Sequence, residues 1–123
     1  MRKLINHCID HGIHGIFVCG SNGECMSLDA GPAGPGHSDC AGRMRRGRVP
    51  VLAGCMDSST QRVIENVQRL EEMGGTTAVV TPVFDARHAT QEETVRHFEE
   101  ISKNTNANLM IYNIPLHRPE PDR

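Results

Sequence analysis

Near the start of the chain the apolar positions Leu4, Ile5, Cys8 and Ile9 recur at helical spacing between Arg2 and His11. Gly12 follows and predicts the helix stop. Residues 13–19, Ile-His-Gly-Ile-Phe-Val-Cys, then read as a strand. A second β-branched run occupies residues 49–53; Pro50 suits its start and would be poorly tolerated inside a central strand, and Gly54 predicts its end. Ser58, Ser59 or Thr60 caps the next helix, whose stripe is Val63, Ile64, Val67, Leu70 and Met73, and Gly74-Gly75 stops it. Residues 76–81 form a third strand. Thr90 and Glu93 have the spacing of a capping box and open a helix through Val95, Phe98 and Ile101 to Asn104. Residues 109–112 are the fourth strand.

Strands thus alternate with helices every thirty residues or so, and the strands are continuous apolar runs. Such strands are buried on both faces, which points to right-handed βαβ units in a parallel sheet. The fold class is α/β. A barrel and an open doubly wound sheet use the same unit, so periodicity leaves both in play. Residues 30–46, AGPAGPGHSDCAGRMRR, break the rhythm with Gly and Pro where a crossover helix is due, and are expected to be irregular.

The length, 123 residues, is that of one ordinary domain. With 13 basic and 15 acidic residues the charge is nearly balanced, and the short cluster Arg43, Arg45, Arg46 and Arg48 has no interleaved aromatics, so no nucleic-acid partner is expected. No apolar run approaches the ~20 residues of a membrane span, and no membrane partner is expected. Five cysteines without a CxxC pair fit neither a disulfide framework nor a zinc ribbon, and a reducing, cytoplasmic location fits best. Three Phe, one Tyr and no Trp are few for a chain that closes its own core, which hints at an incomplete unit.

In parallel α/β folds chemistry gathers at the carboxyl ends of the strands. Those ends carry the loops at residues 20–24, 54–58, 81–84 and 112–115. In the first, glycines flank Ser21-Asn22, so the backbone can turn tightly and present N–H groups and a hydroxyl to a carboxylate. His7, His11 and His14 with Cys8 raise a metal site, but His14 lies beyond the helix stop, and no metal or cofactor is expected. Cys25 and Cys55 lie in strand-end loops with no base beside them and read as incidental thiols. Glu24 reads as a carboxylate that steadies its own loop.

Residues 15–24 (GIFVCGSNGE), 47–54 (GRVPVLAG), 79–82 (VVTP) and 111–115 (IYNIP) stand in an order and spacing that resemble the pyruvate-type class I aldolases, the dihydrodipicolinate synthase and N-acetylneuraminate lyase family. The resemblance covers residues 4–28 and 47–115 and leaves residues 30–46 and the tail 116–123 unmatched. It implies a (β/α)8 TIM barrel of which residues 1–123 form a single incomplete domain with about four parallel strands. It also implies a lyase that joins a lysine to the keto carbon of a 2-oxoacid such as pyruvate as a Schiff base. Ser21 and the Asn22 backbone correspond to the group that holds the carboxylate, and Tyr112 to the catalytic proton-transfer residue.

Three positions depart from the family's pattern. Asn22 stands where many members have threonine, Val83-Phe84 stands where an aromatic pair often follows the TP motif and Phe84 cannot pass a proton, and His117 stands where dihydrodipicolinate synthases place arginine, which disfavours that substrate. The family's lysine falls about one βα unit beyond Tyr112, and the only lysines here are Lys3 and Lys103. The chain is therefore expected to be a fragment, inactive alone, with open sheet edges that favour self-association or a homo-oligomer. The rival reading is a non-catalytic α/β module that binds a small carboxylate or a partner chain.

Overall fold

The structure, a computed structural model, describes residues 2–20, 48–83 and 90–113. Helix α1 (Arg2–Asp10) leads into β1 (Ile16–Val18); β2 (Val51–Gly54), α2 (Thr60–Glu72), β3 (Thr77–Val80), α3 (Gln91–Asn104) and β4 (Asn108–Ile111) follow. The strands form one parallel sheet in the order β1-β2-β3-β4. Residues 30–46 and 116–123, read above as irregular and unmatched, lie outside the described residues.

Local signals set the helix ends. Gly12 (φ +85°) donates to the Ile9 carbonyl and Ile13 to the Cys8 carbonyl, the paired bonds of a Schellman turn. Gly74 (φ +84°) and Gly75 repeat it against Glu71 and Leu70. Ser59 caps α2 by accepting from Arg62 N–H, and Thr90 with Glu93 forms the reciprocal capping box of α3.

The strands are shorter than their apolar runs. Ile13 is spent on the α1 turn, and Cys19 (φ +56°) turns out of the extended conformation, which leaves Ile16–Val18 of the run at 13–19. Pro50 lacks an N–H but its carbonyl accepts from Ile16, so it precedes β2, while Gly54 belongs to the strand it was expected to end.

Alternation divides the sheet into two faces. Ala53, Ala78 and Val80 pack outward against Val63, Ile64, Val67 and Leu70 of α2 and Ile101 of α3. Each Val, Ile or Leu among them, fully buried, contributes roughly 1.5–3 kcal/mol. The other face carries Phe17, Leu52, Val79 and Met110, and Phe17 and Met110 are 44% and 49% exposed. Burial of every strand on both faces therefore does not hold: β1 and β4 show an apolar inner face to solvent. Two stripe positions also differ from expectation. Leu4 is exposed, and on α3 the buried stripe runs through His97 and Ile101 while Val95 is exposed.

The sheet is curled. Phe17, in the middle of β1, meets Tyr112, just past β4, edge to face with ring centroids 6.3 Å apart, although β2 and β3 lie between their strands.

Candidate active site

Because all four strands are parallel, their carboxyl ends converge on one side. Tyr112 sits there, its N–H bonded to the Val80 carbonyl at 2.8 Å and its ring half-exposed over the inner face. On β1 a Cβ added to Gly20 would lie 3.1 Å from the Phe17 ring, the same ring that Tyr112 touches. Phe17 thus joins Tyr112 to Gly20, the residue before Ser21 in the sequence. Ser21 and Asn22 themselves, with Glu24, Cys25, Phe84 and His117, lie outside the described residues.

Between these two ends the β2 loop is tightly packed. A Cβ on Gly54 would fall 2.1 Å from the Cys19 carbonyl oxygen, so only glycine lets β1 turn across β2 at this point. Burial, assisted by neighbouring Cys19, pushes the Cys55 thiol up to about 12, and its Sγ leans on the Ala53 carbonyl. A thiol held protonated in this way is no nucleophile.

Asp57 is an anchor. Burial works to raise its carboxyl, but the Ser58 N–H (2.7 Å), the Arg62 guanidinium (2.8 Å) and Asn66 Nδ2 (3.3 Å) outweigh that and hold it below the ordinary value. With its oxygens so engaged, it fixes the β2 loop to the first turns of α2.

Sequence reasoning missed His97. Buried on α3, it reaches the Thr81 carbonyl through Nε2 (3.1 Å) and the Thr60 hydroxyl through Nδ1 (2.9 Å). The available signal was a polar residue four before Ile101, on the apolar stripe. Beside it, the buried Thr81 hydroxyl has no hydrogen-bond partner among the described residues.

The other sequence candidates lie elsewhere. His11 Nδ1 engages the His7 carbonyl at 2.7 Å on α1, with the two rings 4.0 Å apart, and no group of three potential metal ligands occurs among the described residues. Lys103 pairs with Glu100 (3.1 Å) and Glu99 (3.6 Å) at the end of α3, the opposite end of the sheet from Tyr112. Arg48 of the arginine cluster binds Asn6 and Asp10 and so ties α1 to the entry of β2. Among the described residues no helix is long and apolar enough to cross a membrane.

A parallel sheet with a tyrosine at its carboxyl end is in keeping with the arrangement that the resemblance implies. The sequence model of the dihydrodipicolinate synthetase family matches residues 1–118. The chain belongs to this family.

Its curated relatives include the 4-hydroxy-tetrahydrodipicolinate synthase of Thermodesulfovibrio yellowstonii, 35% identical over 118 residues, a match that takes in 93% of this chain and 38% of the relative. A dihydrodipicolinate synthase from Bacillus anthracis superposes with a TM-score of 0.81 at 29% identity, over 92% of this chain and 38% of that one. An E. coli K12 prophage protein of the dihydrodipicolinic acid synthase family, solved in complex with pyruvate, gives 0.77 at 28% identity, over 92% and 37%. The chain therefore spans little more than a third of the length of these family members, and its four strands and helices correspond to part of their TIM barrel.

Proposed function

We propose that the chain is part of a Schiff-base-forming lyase or aldolase of the dihydrodipicolinate synthetase family, acting on pyruvate or on a 2-oxo sugar acid that releases pyruvate. Residues 1–123 would form one incomplete barrel domain, inactive alone, working in a reducing cytoplasm that suits the thiols of Cys8 and Cys55.

The observation that carries this reading is the Phe17–Tyr112 contact, which sets the tyrosine at the carboxyl end of the sheet beside β1. In this reading the Ser21 hydroxyl and the Asn22 N–H hold the carboxylate of the 2-oxoacid. Tyr112 passes a proton to and from the reacting hydroxyl, a task that suits a phenol because it both donates and accepts. The pyruvate bound by the E. coli relative supports the ligand class.

Carbon–carbon chemistry of this kind needs an amine at a strand end. Lys3 is exposed on α1, and Lys103 is engaged by two glutamates at the far end of the sheet. The amine is therefore expected from a segment outside these 123 residues.

The test mixes the chain with a separately expressed carboxyl-terminal segment of a dihydrodipicolinate synthase that bears its lysine, then adds pyruvate and borohydride. An adduct and turnover that appear only in the mixture are the expected result. Pyruvate-dependent turnover by the chain alone would overturn the fragment reading, and no adduct in the mixture would favour the non-catalytic carboxylate-binding module.

A further inference from the structure

We infer that Thr81 is a positioning residue for Tyr112, its hydroxyl turning to donate a hydrogen bond to the phenolic oxygen when a 2-oxoacid is bound. The inference rests on the reaction proposed above and goes beyond it by naming the group that steadies the phenol.

Thr81 follows β3, and the ladder between β3 and β4 runs on to it. Val80 pairs with Ile111, and the Tyr112 N–H bonds to the Val80 carbonyl, so the next pair across the two strands is Thr81 with Tyr112. Neighbouring strands lie about 4.8 Å apart, and paired residues leave the sheet on the same face. Val80 packs outward on the helices, which by alternation turns Thr81 to the inner face, where the Tyr112 ring meets Phe17.

The other described hydroxyls in the loop after β2 are engaged. Ser58 Oγ donates to Asp57 (3.2 Å), Ser59 Oγ accepts from the Arg62 N–H (3.4 Å), and the Thr60 hydroxyl meets His97 Nδ1 (2.9 Å). The Thr81 hydroxyl has no partner among the described residues, on a side chain only 4% exposed. A hydroxyl buried in this way costs free energy that a valine of the same shape would not. β3 lies inside the sheet with a strand on each side, so the unmet bond does not belong to a free edge.

The rest of the residue is fixed. His97 Nε2 donates to the Thr81 carbonyl from α3 (3.1 Å), and Pro82 follows with its φ set by the ring. The side chain is what remains to move, and a turn between staggered positions about Cα–Cβ carries the oxygen without disturbing the backbone. A phenol that passes its proton to the reacting hydroxyl leaves negative charge on its own oxygen. A hydroxyl donated from the neighbouring strand stabilises that charge, while the Thr81 proton stays on Thr81.

The test uses the mixture with the lysine-bearing segment. Thr81→Val keeps the shape and removes the hydroxyl; it is expected to lower kcat about 10–100-fold while KM for pyruvate and the borohydride adduct are unchanged, and Thr81→Ser is expected to restore most of the turnover. In the isolated chain the urea midpoint of Thr81→Val is expected to equal or exceed that of the parent, because an unpaired buried hydroxyl has gone. Full turnover by Thr81→Val would overturn the inference. A lowered midpoint, with turnover and adduct lost together, would mark Thr81 as structural and overturn it as well. A parent mixture that forms no adduct would bring down the proposed reaction itself, and this inference with it.

Discussion

The imidazole of His97 stands 2.9 Å from the Thr60 hydroxyl, and so ties α3 to the first turn of α2 above the end of β3. The Thr81 carbonyl can only accept, so Nε2 carries a proton and donates to it. His97→Leu removes both bonds and strands the buried Thr81 carbonyl. The expected loss is about 2–4 kcal/mol, against about 1 kcal/mol for Thr60→Val, read from urea denaturation midpoints.

Two glycines are predicted to differ in kind. Gly54→Ala drives a methyl into the Cys19 backbone carbonyl and is expected to cost about 3 kcal/mol. Gly74→Ala meets nothing within 4 Å and pays only for its left-handed backbone, about 1–2 kcal/mol. Thermal melts of the two variants should separate them, with the Gly54 variant much the worse.

Asp57 sets a pH dependence. Its folded carboxyl is held below the ordinary value, so its contribution is fully present above the unfolded pKa of about 4 and is lost as pH falls through the lower folded value. In Asp57→Asn this acid-side contribution disappears. Urea midpoints taken from pH 6 down to pH 3 should therefore fall less steeply for the variant than for the parent chain.

Thiol reactivity should follow burial. Cys55, pushed up to about 12 and buried, is expected to resist iodoacetamide at pH 8 until the chain unfolds, whereas the half-buried Cys8 is modified first. Timed alkylation followed by mass mapping checks the order, and early labelling of Cys55 would show that the β2 loop opens.

Tyr112→Phe keeps the ring against Phe17 and removes only the hydroxyl. In the mixture with a lysine-bearing segment it is expected to lower turnover by about 10²–10⁴-fold while pyruvate trapping by borohydride persists. Loss of trapping and turnover together would mark the tyrosine as structural.

The sequence made most of this fold legible because its punctuation is local. Gly12, Gly74, Ser59 and the Thr90–Glu93 pair act within a few residues of where they stand, and each ends or starts a helix as expected. The exact strand limits depend on hydrogen-bonding partners far along the chain, which is why the run at 13–19 yields only Ile16–Val18. The exposure of Phe17 and Met110 was equally hidden, since an apolar run reads the same whether its face is covered or open. Tyr112 is a candidate on the strength of a motif. His97 has none, and its role exists only where α2, β3 and α3 meet.

The register of β1 also bears on the order in which the molecule assembles. Ile16 finds Val51 across 35 residues, whereas Ala53 finds Ala78 across 25. Three residues then hold β1 in place, at an edge. Closing the longer loop for the smaller reward comes late. Pulse-labelled amide exchange during refolding is expected to protect Val79 and Val80 before Phe17 and Val18. On the ribosome, where the amino terminus emerges first, α1 and β1 would wait unpaired until the rest of the sheet had formed for them to join.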